Sequence, residues 1–323
     1  MKATKKFGAL VNLASRRNSR QPPDITYLKS KGILVETPSS LAELPAAISR
    51  LGDAGLDVLA VSGGDGTVLS ALTAILTGQA FERQPILCLT PDGTTNMTAA
   101  DVGIATGKNN LNRAYNLAKS GQGKLVKRQT IRLDGVMDKM GGTDPQVGMF
   151  FGAIGICRAI EFCRVNLHRH GIVGSSASWL TLLPLLLRNL VFNPSDGVLA
   201  GAPLVIRGMN DFDQHHKLDG SYSVLMASTL EKLTLGAKPF WGYGSGLPLT
   251  AVQAPPPRLF ANILPLLFGN TKRPKSPGYE SLKDESYEIT YTGQVTLDGE
   301  LYEAHASRPI RLSAGGEVQF LVE

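Results

Sequence analysis

The first third of the chain alternates short apolar runs with stretches of helical periodicity. FGALVNL (7–13), GILVET (32–37), DVLAVS (57–62) and PILCL (85–89) have strand length and strand composition. Between them SLAELPAAISRL (40–51) repeats its apolar positions at helical spacing, with Ser39 or Ser40 as its cap. VLSALTAIL (68–76) does the same behind Thr67 and stops at Gly78, and NNLNRAYNLAKSG closes at Gly121. Strands separated by helices predict a parallel sheet covered on its faces, with ligands at the carboxyl ends of the strands.

From about Lys124 the pattern changes. KLVKRQTIRLDG alternates charged and apolar residues, as a half-exposed strand does, and strand-like runs follow: VGMFFGAIGI, PLVIRG, YSVLMAS, LPLTAV, YEITYTGQVTLDG and VQFLVE. An antiparallel sheet domain with two or three helical insertions is expected, with the boundary between Gly121 and Asp134. That gives an α/β domain over 1–127 and a second domain over 128–311. PPPRLF and TKRPKSPGYE read as loops of the second domain.

Composition narrows the class. A chain of 323 residues with 43% hydrophobic and 19% charged residues is long enough for two folded domains. The formal net charge of +6 favours acidic partners such as phosphate esters or anionic headgroups. No basic stripe with interleaved aromatics argues for nucleic acid. Three cysteines, Cys88, Cys157 and Cys163, are too few and too irregular for a disulfide framework or a zinc site, and fit buried thiols in a reducing compartment. The longest apolar run, WLTLLPLLLRNLVF (179–192), is short for a bilayer span and contains Pro184 and Arg188. A cytoplasmic protein is expected.

Candidate chemistry sits on two matching loops. VSGGDGT and LTPDGT each place Asp-Gly-Thr at the end of a predicted parallel strand. Gly63, Gly64 and Gly66 let backbone amides approach phosphate oxygens, and Thr67 and the helix start add donors. The spacing fits neither a Walker A loop nor a dinucleotide fingerprint. Asp65 is the anomaly, because a carboxylate beside a phosphate repels it. It is expected to hold magnesium, directly or through water, to accept a proton, or to bond sugar hydroxyls.

GGDGT followed by GTTN (93–96) resembles the catalytic domain of diacylglycerol kinases, the family of bacterial lipid kinases and sphingosine kinases. VNLASRRN, VETPSS, FFGAIGICRAIEF and VTLDGELYE resemble further family segments in the same order along the whole chain. The resemblance implies an α/β domain holding ATP and Mg²⁺ and a β-sandwich domain supplying the lipid alcohol. The last stretch, about 312–323, would return to the first domain. Nucleotide contacts implied by match are Asn12, Ser15, Arg16, Thr37, Gly63, Gly64, Asp65, Gly66, Thr67, Gly93, Thr94 and Asn96. The late Asp-Gly-Glu would supply the proton acceptor, Asp298 or Glu300, with Asp65 as the magnesium residue.

Some positions depart from the family pattern. Met97 and Leu69 stand where the family has polar residues, Leu13 and Arg16 replace a Pro and a Gly, and GSGLPLT replaces an acidic stretch tied to a second-domain magnesium site. Arg16 and Arg17 are candidates to contact phosphate instead of backbone amides. The alternatives are a catalytically inactive lipid- or nucleotide-binding protein on the same fold, and a kinase of a soluble alcohol like the NAD kinases. WLTLLPLLLRNLVF and RLFANILPLLFGNTKRPK are candidates for the lipid side and for peripheral contact with the inner face of a membrane. CRAIEFCRVNLHRHG reads as a surface helix with Arg164, His168 and Arg169 solvated.

Overall fold

The computed structural model describes residues 5–78, 80–104, 110–169, 197–209, 216–233, 236–269 and 273–323. The chain divides into two compact units. The first comprises Met1–Thr130, Gln146–Met149 and Gly315–Glu323, and the second Ile131–Pro145 and Phe150–Ala314.

In the first unit β1 (Phe7–Val11), β2 (Leu34–Glu36), β3 (Val58–Gly63) and β4 (Ile86–Pro91) run parallel in the order β2-β1-β3-β4. Helices α1 (Arg16–Arg20), α2 (Ile25–Ser30), α3 (Leu44–Asp53), α4 (Asp65–Thr77), α5 (Met97–Asp101) and α6 (Asn110–Ser120) connect them. Phe7, Ala9 and Val11 join Leu28 of α2 and Leu111, Ala114 and Ala118 of α6 in one core layer. Leu10, Leu59 and Val61 alternate with that set and are fully buried too, so both sheet faces are covered. Gly8 is needed on the second face, where a Cβ would lie 2.3 Å from the Leu56 Cδ1.

Local chemistry explains where helices begin. Ser39 donates from its amide and its hydroxyl to the Glu43 carboxylate at 2.9 and 2.6 Å, bracing the turn ahead of α3. Asp24 caps α2 by accepting from the amides of Thr26 and Tyr27. Thr67 is not the cap of α4, as its position suggested. The helix starts at Asp65 with Gly64 as N-cap, so Thr67 lies buried inside the first turn. The helices α1, α2 and α5 are too short to show periodicity and were not expected.

The chain leaves the first unit within β5 (Lys124–Asp134), followed by β6 (Val136–Met137), β7 (Gln146–Gly148), β8 (Phe150–Ile154) and α7 (Gly155–Arg169). The run read as one strand, VGMFFGAIGI, is thus two strands parted at Met149. Beyond it come β9 (Ala202–Met209), β10 (Lys217–Ser228), β11 (Leu247–Gln253), α8 (Leu259–Leu267), β12 (Tyr279–Asp284), β13 (Ser286–Thr290), β14 (Gly293–Leu297), β15 (Glu300–Ala304) and β16 (Ile310–Val322). The second unit is antiparallel: β10 pairs with β8, β9 and β11, β8 with β14, and β14 with β15. The end of β16 belongs to the first unit, where Phe320 lies parallel to Leu87 of β4. The architecture is therefore an α/β unit with a parallel sheet and an antiparallel, strand-rich unit. WLTLLPLLLRNLVF, Lys272, and the side chains of Cys163, His168 and Arg169 lie outside the described residues.

Candidate active site

Register brings three loops of the first unit together. Val11 pairs with Ser62, Ser62 with Thr90, and Gly63 with Pro91, so β1, β3 and β4 end side by side. The chain leaving β1 contributes 12–18, that leaving β3 contributes 63–67, and that leaving β4 contributes 92–96.

A buried polar network ties these loops to one another. Asn12 Nδ2 donates to Thr67 Oγ1 at 2.9 Å. Asn18 Nδ2 donates to the Asn12 carbonyl at 2.9 Å and to Ser62 Oγ at 3.0 Å. Ser62 Oγ in turn donates to Asp92 Oδ2 at 2.8 Å, and Thr90 Oγ1 donates to the same oxygen at 2.6 Å. The Arg17 Nε lies 3.8 Å from Asp92 Oδ1, and the Arg17 amide donates to the Asp92 carbonyl. Hydrogen bonds to a buried carboxylate contribute about 1.5–3 kcal/mol each, so this network fixes the loops firmly. Asn18, Ser62, Thr90 and Asp92 were not among the expected site residues. The one signal for them was the second Asp-Gly-Thr, which marks Asp92.

Glycine lets two of the loops meet. A Cβ on Gly93 would lie 2.3 Å from the Gly64 Cα, and one on Gly64 would lie 3.1 Å from the Gly93 Cα. Gly63 faces its own helix, where a Cβ would lie 2.5 Å from Thr67 Oγ1. Asn96 has a left-handed backbone, with φ 50°. Its side chain accepts from the Gly93 amide at 2.8 Å and donates to the Gly93 carbonyl at 3.1 Å, closing the turn.

Asp65 answers its own anomaly. Its Oδ1 accepts from the Met97 amide at 2.8 Å, so the carboxylate caps α5 from the neighbouring loop. Burial pushes its pKa up from 3.8 to about 6, against the opposing pull of the amides of Met97, Thr98 and Asn96. The negative charge in the glycine loop thus joins one Asp-Gly-Thr loop to the other. Met97, a departure from the family pattern, contributes only a backbone amide to this bond, and Leu69 is buried in α4.

The remaining expected contacts fall at the same strand ends. Ser15 Oγ is buried and has no hydrogen-bond partner among the described residues. The Arg16 side chain is half-buried and forms no ion pair among them. Thr94 is exposed, Gly66 is half-buried, and Thr37 directly follows β2. The α4 N-terminus leaves the amides of Asp65 and Gly66 without helical partners, whereas those of Thr67 and Val68 donate to the Gly64 carbonyl. Asp65's amide also meets its own carboxylate, which leaves the Gly66 amide, the glycine backbone and the Arg16 side chain as the groups that suit a phosphate chain.

The late acids belong to the second unit. Asp298 and Gly299, with φ 48° and 88°, form the two-residue turn of the β14–β15 hairpin. Asp298 is 5% exposed, and its Oδ1 accepts from the Phe150 amide at 2.8 Å. Glu300 is half-buried, and its side chain makes no hydrogen bond to a described residue. Arg164 is not simply solvated, since it donates to the Gly299 carbonyl at 3.0 Å. Beside the hairpin an open groove of about 620 Å³ is lined by Met137, Lys139, Arg164, Val165 and Leu301 among others.

Among the described residues no three His, Cys, Asp or Glu side chains gather closely enough to hold an ion. One oxygen of Asp65 accepts from the Met97 amide, and the second is the oxygen through which it would reach a magnesium ion, directly or through water. Cys88 and Cys157 are buried free thiols, each pushed up to about 12 chiefly by burial, which makes them unreactive.

The strand-end loops and glycine apposition define an α/β unit whose adjoining loop backbones meet at the ends of its parallel strands. The sequence model of the diacylglycerol kinase catalytic domain matches residues 26–128, bearing out the resemblance to that family over this span. Two solved structures from Bacillus anthracis share the fold over the whole chain. One is a candidate diacylglycerol kinase with a TM-score of 0.66, 14% identity, and coverage of 100% of this chain and 99% of its own. The other is a diacylglycerol kinase with a TM-score of 0.60, 15% identity, and coverage of 100% and 98%. No curated protein matches the chain significantly.

Proposed function

We propose that the chain is a nucleotide-dependent kinase of a lipid alcohol, with ATP as phosphoryl donor and a diacylglycerol-like lipid as acceptor. The observation that carries the reading is the buried network from Asn12 to Asp92, which holds three glycine- and hydroxyl-bearing loops at adjoining ends of parallel strands. In this reading Gly63–Thr67, Gly93, Thr94 and Asn96 cradle the phosphates, with Asn12, Ser15 and Arg16 on one flank and Thr37 beyond β2. Magnesium, when bound on the nucleotide phosphates, would neutralise their charge, and Asp65 would meet it directly or through water.

Glu300 is the proposed proton acceptor. Its carboxylate is uncommitted, whereas Asp298 is spent on the hairpin and Phe150. The lipid hydroxyl loses its proton to Glu300 as its oxygen bonds the γ-phosphorus, and ADP leaves with the electron pair of the broken P–O bond. The polar groups of the open groove beside the hairpin suit a headgroup. A kinase of this kind works in the cytoplasm, at the inner membrane face.

Radiolabelled ATP, offered with a panel of lipid alcohols in vesicles and, in parallel, with soluble alcohols including NAD, tests the proposal. A labelled lipid is expected, and it is lost in Glu300→Gln. Nucleotide-dependent thermal stabilisation with no labelled product from any lipid would instead identify a non-catalytic binding protein. Labelled product from a soluble alcohol alone would identify the third reading.

A further inference from the structure

We infer that α8 docks the protein on an anionic bilayer. Its exposed large side chains, continued by Phe268 at the C-cap, form one apolar stripe: Phe260 is 69% exposed, Leu264 63%, and Leu267 and Phe268 40% each. They recur at helical spacing and so share a face. The opposite face is fastened to the protein. Asn262, 4% exposed, donates to the Pro257 carbonyl, the Arg258 carbonyl and Ser276 Oγ. Lys238 donates its amide to the Leu267 carbonyl at 2.7 Å, and Gly269 abuts Trp241 so closely that a Cβ would lie 2.3 Å from its ring. The helix is therefore held rigidly with its apolar side outward, a costly arrangement in water alone.

Charge names the occupant. No acid occurs between Glu231 and Glu280, a span that carries six Lys and Arg. Arg258, Arg273 and Lys275 are exposed, and Arg273 stacks on the exposed Tyr243 ring at 4.3 Å. An aromatic and leucine stripe among cations matches the headgroup region of an anionic membrane, where apolar side chains enter and cations meet lipid phosphates. A second copy of the chain is disfavoured, because the same cations would face each other across a symmetric contact. No helix among the described residues is long and apolar enough to cross a membrane, so α8 would lie on the surface. The inference concerns docking and is independent of the phosphoryl-transfer chemistry.

Flotation with vesicles of phosphatidylcholine, with and without one-quarter phosphatidylglycerol, tests it in the absence of nucleotide. Binding to the anionic vesicles is expected, weakening as salt rises. Phe260→Ser with Leu264→Ser should lower the partition roughly tenfold or more. Arg273→Gln with Lys275→Gln should lower it roughly fivefold per charge and flatten the salt dependence. All four side chains are exposed, so melting temperatures should stay unchanged. Failure of the wild type to float, or full flotation of both double variants, overturns the inference. A dimer that the serine variants convert to monomer also overturns it, since a second copy would then cover the stripe. A protein that floats yet phosphorylates nothing refutes the kinase proposal and leaves the docking intact.

Discussion

Replacing Asp65 by asparagine should make the protein more stable and less active. The carboxylate is drawn into the loop junction, where burial raises its pKa from 3.8 to about 6. An acid whose folded-state pKa lies above its unfolded value stabilises the fold below the unfolded value. That contribution is lost as pH rises through the folded value. For Asp65 the loss runs from about pH 4 to about pH 6. At about 1.4 kcal/mol for each pH unit, it totals at most about 3 kcal/mol above that window. Asparagine keeps an oxygen to accept from Met97, whose amide lies 2.8 Å from Oδ1, and carries no charge to desolvate. Urea unfolding followed by circular dichroism, on wild type and Asp65→Asn in parallel from about pH 4 to pH 8, isolates the effect. All other acids cancel in the difference. The variant should gain relative to wild type as pH rises, level off above about pH 6, and lose phosphoryl transfer. A stability difference that ignores pH, or a variant that weakens as pH rises, would show that the amides of α5 outweigh desolvation and would refute the reasoning.

Five further variants have definite expected outcomes. Gly93→Ala places a methyl 2.3 Å from the Gly64 Cα, so the loops must part. A cost of about 1–3 kcal/mol in unfolding and a clear loss of nucleotide-induced stabilisation are expected. Asp92→Asn removes the charge from the oxygen that accepts from both Ser62 and Thr90 and turns an NH2 group towards Arg17, and should cost about 1–3 kcal/mol, with weaker nucleotide binding by calorimetry. Asp101→Ala removes the fully buried carboxylate that lies 2.8 Å from the Arg128 Nε and should cost about 3–5 kcal/mol of stability. Glu300→Gln should leave the melting temperature unchanged while product disappears from the lipid assay, whereas Asp298→Ala should lower the melting temperature by loosening the β14–β15 turn.

The sequence by itself determined the class of the fold and the position of its loops. Apolar runs of strand length alternating with helical periodicity leave little choice but a covered parallel sheet, and β1, β3 and β4 stand where those runs were read. Two Asp-Gly-Thr segments likewise located the loops that meet at the strand ends, because glycine is the residue that lets backbone approach backbone. What the tertiary structure alone decided is the role of each polar side chain. Asp65 serves α5, Asp92 gathers the hydroxyls of Ser62 and Thr90, Thr67 answers Asn12, and Asp298 holds a hairpin. Thr90 is two residues from Asp92, but Met97, Ser62 and Asn12, the partners of Asp65, Asp92 and Thr67, lie on other strands or loops of the sheet at separations that reach 55 residues, and Phe150 is further still from Asp298. Local periodicity records which face a residue buries. It carries nothing about which distant donor a buried oxygen will meet, because strand order and register fix that distance.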